Sequence, residues 1–62
     1  MRREDILSAI NLLMDICDDP DIWEELLYLR HNQDEFSDSD LTYKVMNLAT
    51  DYILLLRRKT DE

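Results

Sequence analysis

FSDSDLTYKVMNLATDYILLLRRK, residues 36–59, decides how the chain folds. Ser37 is placed to cap a helix, Asp40 stands three residues on as in a capping box, and Phe36 can staple onto Leu41. Past that start, Leu41, Val45, Leu48, Tyr52 and Leu55 recur at helical spacing, with Met46, Ala49, Ile53 and Leu56 beside them. Arg57, Arg58 and Lys59 then suit the negative end of the helix dipole. The pattern predicts a helix over about residues 38–59, with Thr60 to Glu62 fraying beyond it.

Working back from that helix, Asp18-Asp19-Pro20-Asp21 reads as a second start. Asp19 can cap, Pro20 suits the first helical position because its missing N–H costs nothing there, and Asp21 complements the dipole. A helix over 20–31 follows, burying Ile22, Trp23, Leu26, Leu27 and Leu29 and fading at His31-Asn32. Ahead of it, Ile6, Ile10, Leu13 and Cys17 form one stripe of a helix over 3–17, widened by Leu7, Ala9, Leu12, Met14 and Ile16. Glycine is absent from the chain, which removes the usual hairpin turns, and the apolar residues follow helical spacing rather than alternation. The expected fold is all-α, a compact three-helix protein forming a single domain over residues 1–62.

A domain of 62 residues buries only about 60% of the surface of its unfolded chain, so outside stabilisation is expected. The first and third helices carry apolar arcs too wide for one small core. Ile53-Leu54-Leu55-Leu56 sweeps all sides of a helix, so some of it must point outward. A helical homodimer would bury the excess, and two-fold dimers are the commonest soluble oligomers. Leu12, Ile16, Ile53, Leu54 and Leu56 are the residues expected to serve self-association, or apolar docking on a larger assembly. Cys17 is the only cysteine, which rules out an intrachain disulfide and favours a reducing compartment, the cytoplasm. The amino terminus lacks the apolar core of a signal peptide, and Lys44, Asn47, Thr50 and Asp51 interrupt the most apolar stretch, so no membrane association is expected.

Charge is the main pointer to function. Between Asp15 and Asp40 lie ten carboxylates against Arg30 alone, a net of −9 from −10 and +1, within a chain whose formal charge is −8. The acids expected to form a partner-binding surface are Asp18, Asp19, Asp21, Glu24, Glu25, Asp34, Glu35, Asp38 and Asp40, with Tyr28 as their aromatic member. Carboxylates on neighbouring turns of a helix stand about 5 to 6 Å apart, comparable with phosphates along one nucleic-acid strand. Such a surface suits a basic, possibly nucleic-acid-binding protein and gives fast, salt-sensitive association. The sign of the charge argues against direct nucleic-acid binding.

Residues able to carry chemistry are few. Cys17 and His31 could form a thiolate–imidazole pair only if the fold joined them, and Asp15, Asp18 and Asp19 oppose a thiolate by like-charge repulsion. The serines lack a glycine-bounded nucleophile elbow. Asp34, Glu35, Asp38 and Asp40 resemble a calcium loop, but counting from Asp34 places Ser39 and Val45 where an EF-hand needs glycine and a bidentate acid. The absence of glycine also excludes the familiar phosphate-cradling loops. No catalysis, metal or cofactor is expected. Among the aromatics, Trp23 and Tyr52 are assigned to the core, Tyr28 to the surface and Tyr43 to an edge.

FSDSDL followed by a long helix is similar to the last part of the small bacterial nucleoid modulators of the Hha/YmoA type. The likeness spans about half the chain and implies a small partner-binding regulator, although the acidic segment departs from that family's charge balance. Either way, the expected function is that of a non-enzymatic acidic regulator that binds another protein. Its sharpest form is an inhibitor or antirepressor of the nucleic-acid-mimic kind encoded by phages and mobile elements.

Overall fold

The computed structural model describes residues 2–61 and places three α-helices in them, α1 (Arg3–Ile16), α2 (Pro20–His31) and α3 (Asp38–Asp61), with a 3-10 turn at Gln33–Glu35. The helix starts follow the capping chemistry. The Asp19 carboxylate accepts from the Ile22 N–H at 3.0 Å, with Pro20 at the head of α2. The Ser37 hydroxyl accepts from the Asp40 N–H at 3.1 Å. Asp40 returns no bond to the Ser37 backbone among the described residues, since aspartate is one methylene shorter than the glutamate of a full capping box. α3 runs two residues further than its expected end, through Asp61, and the Thr60 hydroxyl bonds the Leu56 carbonyl at 2.9 Å in its last turn. Glu62, the last residue expected to fray, lies outside the described residues.

Two contacts fix the packing order. The Arg3 guanidinium meets Asp38 at 2.7 Å, and the Tyr52 hydroxyl donates to the Ile16 carbonyl at 2.8 Å. The offset between α1 and α3 is therefore 35 residues at one end (38 − 3) and 36 at the other (52 − 16), so the two helices run parallel and in step. α2 returns antiparallel between their far ends. The core is Ile6, Ile10, Leu26, Leu29, Leu41, Val45 and Tyr52, with Ile22, Leu13, Phe36 and Leu48 packed around it. At 1.5 Å per residue α3 is about 36 Å long, nearly the full 39 Å extent of the molecule. Its last nine residues, 53–61, therefore run past the end of α1.

Arg3 holds the other end together, a role not apparent from its sequence neighbours. Besides Asp38, it donates to the carbonyls of Gln33 and Phe36, the latter at 2.8 Å, so one side chain ties α1 to the 3-10 turn and to the start of α3. The turn between α2 and α3 is thereby pinned. Replacing Arg3 with alanine is expected to cost about 2 kcal/mol, because charge-assisted bonds to two carbonyls are lost while the exposed ion pair adds little. For a domain this small that corresponds to a fall in Tm of roughly 8–16 °C. A thermal melt followed by circular dichroism measures it, and lysine, which lacks the planar fork, should recover less than half.

Tyr52 gives the fold a pH dependence. Burial raises its pKa above the usual 10.0, the charges of Asp18 and Cys17 add to the rise, and Lys59 partly offsets it. A raised folded value means that stability is complete below pH 10 and declines as pH climbs from there through the folded value, since the unfolded chain ionises first. Melts between pH 8 and pH 11.5 should show this decline, and it should be shallower in Tyr52→Phe. An equal slope in the two proteins would exclude Tyr52 as its source.

Candidate functional site

α2 places its acids by a simple division of faces. Leu26 and Leu29 point into the core, which turns Asp21, Glu24, Glu25 and Tyr28, spaced three and four residues apart, onto the outer side. These four line one open depression. The ion pairs among the described residues are Arg3–Asp38 at 2.7 Å and Lys59–Asp18 at 3.6 Å, so the three carboxylates of this face have no cationic partner among those residues. Their charge faces outward unneutralised.

Tyr28 is half-exposed and held in place. Its ring meets Phe36 edge-on at 6.5 Å between centroids and an interplanar angle of 68°, and Lys44 Nζ sits 5.4 Å from the Phe36 centroid. Ordering the tyrosine in advance lowers the entropy cost of using it in a contact.

The expected acidic surface divides into three groups. Asp21, Glu24, Glu25 and Tyr28 form the centre. Asp34, Glu35 and Asp40 lie exposed beyond the C-terminal end of α2, which Tyr28 approaches within three residues. Asp19 is half-buried and engaged as a cap, Asp38 is tied to Arg3, and Asp18 pairs weakly with Lys59. Those last three carry structural contacts that the sequence reading assigned to a partner.

Trp23 corrects the sequence reading. It was expected in the core and is 37% exposed, beside Cys17, Asp18, Asp19, Pro20 and Glu24. The inward stripe of α2 is Ile22, Leu26 and Leu29, and a residue one step from Ile22 is turned about 100° off it. An indole framed by carboxylates at one edge of the acidic face enlarges the candidate surface.

Cys17 precedes α2 and His31 ends it, so the thiol and imidazole stand at opposite ends of the helix; the Cys17 thiol instead donates to the Asp19 carbonyl at 3.4 Å. Among the described residues, no group of three or more His, Cys, Asp or Glu side chains could hold a metal ion, and no helix is long and apolar enough to cross a membrane.

The side away from α2 is apolar. Between α1 and α3 runs a groove of about 320 Å³ lined by Ile6, Ala9, Leu12, Leu13, Thr42, Val45, Met46 and Ala49. Leu12 (62% exposed) and Met46 (63%) form its rims, and Ile16, Ile53 (63%) and Leu56 continue it toward the overhang of α3. Four of the five residues assigned to an apolar contact thus share one face. Leu54 does not: a step of about 100° from Ile53 carries it to the back of α3 with Tyr43. Met46 went unnoticed in the sequence because it reads there as an ordinary flank of the core stripe.

No protein family model, no curated protein and no solved structure matches this chain.

Proposed function

We propose that the protein is a non-enzymatic acidic regulator whose α2 face occupies a basic surface of another protein. The observation that supports this reading is the set Asp21, Glu24 and Glu25, exposed on one face around Tyr28 and without an ion-pair partner among the described residues. A surface of this kind lowers the energy of an approaching Lys/Arg-rich groove at long range and accelerates encounter. In its sharpest form the acids imitate a nucleic-acid backbone, and the protein acts as an inhibitor or antirepressor in the cytoplasm, of the sort phages and mobile elements use. We take the active species to be a homodimer joined through the apolar α1/α3 side, which leaves both α2 faces free.

The exposed groove favours a second reading, in which the chain is an accessory subunit docked on a larger assembly through that apolar side while the acids only solvate it. Salt separates the two. Partners captured from bacterial lysate on immobilised protein and washed in steps of rising salt should elute early, and the triple reversal of Asp21, Glu24 and Glu25 to lysine should fail to retain them. A partner that resists salt and is retained by the reversed protein would replace the first reading with the second.

A further inference from the structure

We infer that the α1/α3 groove is closed by a second copy of this chain packed antiparallel, in a register set by the α3 seam and the charges at its ends; this rests on the homodimer taken above. Along α3 the outward residues Thr42, Met46, Ala49 and Ile53 are spaced four, three and four apart, the seam spacing of a two-helix coil. Ala9, Leu12 and Ile16 repeat that spacing, three and four apart, on α1. Large and small side chains alternate along the α3 seam, from Thr42 and Met46 to Ala49 and Ile53.

An antiparallel copy pairs them as knobs and holes. With Met46 set against Ala49 of the second copy (46 + 49 = 95), Ile53 meets Thr42 (53 + 42 = 95), so each large side chain enters the space left by a small one. The two-fold axis then passes level with the midpoint of Met46 and Ala49. Because α1 is in step with α3 at an offset of 35 to 36 residues, Leu12 lies at that same level and meets its own symmetry mate. Ile16 then falls level with Ser8 and Ala9 of the second copy. The α3 seam is thus self-complementary about one axis that also brings the outward apolar residues of α1 together, which points to a second copy over an unrelated protein.

Charge selects the same direction. α3 begins with Asp38 and Asp40 and ends with Arg57, Arg58 and Lys59, so antiparallel copies lay the basic end of each along the acidic start of the other. A parallel pair would gather six cations at one end. The carboxylate faces on α2 point away from the joint in the antiparallel arrangement, which limits repulsion between two chains of charge −8.

The test combines oligomeric state with a distance. In a Cys17→Ser, Thr60→Cys protein carrying spin labels, the antiparallel register separates the labels by about 37 Å along the helix axis, from 25 residues at 1.5 Å each. Sedimentation should give a dimer, Ile53→Asp should weaken it at least about tenfold by burying an unpaired carboxylate, and Leu54→Asp on the back of α3 should leave it intact. A dimer with labels within about 20 Å would overturn the antiparallel register while the dimer stands. A monomeric wild-type protein, or a dimer broken by Leu54→Asp and indifferent to Ile53→Asp, would overturn both.

Discussion

Reversing Asp21, Glu24 and Glu25 to lysine together is expected to lower affinity for the basic partner by roughly 100-fold at low salt while leaving the helices in place. The change moves the formal charge from −8 to −2, three reversals of two units each. An exposed carboxylate–cation contact contributes about 0.2–1 kcal/mol, and reversal replaces attraction with repulsion of similar size, so three sites together amount to about 3 kcal/mol. The loss should fall mainly on the association rate and shrink sharply between 50 and 500 mM salt, because these side chains remain in high dielectric. α2 itself should tolerate the exchange. Lysine forms helices about as well as glutamate, and only Asp21, in the first turn, gives up a favourable dipole contact of a few tenths of a kcal/mol. Kinetic binding measurements at both salt concentrations check the rate and the salt response together, with circular dichroism confirming helix content.

The second large effect concerns the fold. Leu26 is fully buried at the meeting of all three helices, and Leu26→Ala should cost about 3 kcal/mol through lost transfer energy and the cavity left behind. In a domain of 62 residues with seven buried core residues, that is a large part of the total stability, so the variant should have lost most of its cooperative helical signal at 37 °C. Leu54→Ala, on the exposed back of α3, should shift stability by less than about 0.5 kcal/mol. Similar melts for the two variants would mean that the core lies elsewhere than at Leu26.

The helices were legible because their starts are written in local chemistry. Asp19 and Ser37 each satisfy an orphan N–H group three residues on, and the apolar spacing needs only a count along the chain. The third dimension was less accessible. Arg3 finds Asp38, Gln33 and Phe36 only because α1 and α3 run parallel, and nothing near Arg3 in sequence signals partners 30 or more residues away. The same packing decided which acids remain available: Asp38 looks like its neighbours in sequence and differs only in what it touches. Trp23 misled because aromatic size suggests burial, whereas its angular position on α2 places it at the rim. The acidic face itself was readable in outline, since Asp21, Glu24, Glu25 and Tyr28 fall on one side of any helix that buries Leu26 and Leu29.

The central claim, that the carboxylate face sits where a partner would hold nucleic acid, is tested most directly by competition. The basic partner captured by the protein is bound to labelled duplex DNA or RNA, and the unlabelled protein is titrated in at low and at high salt. Displacement of the nucleic acid at low salt, suppressed at high salt and absent with the Asp21, Glu24 and Glu25 reversal, is the predicted result. A ternary complex in which partner, nucleic acid and protein remain together at every concentration would contradict it.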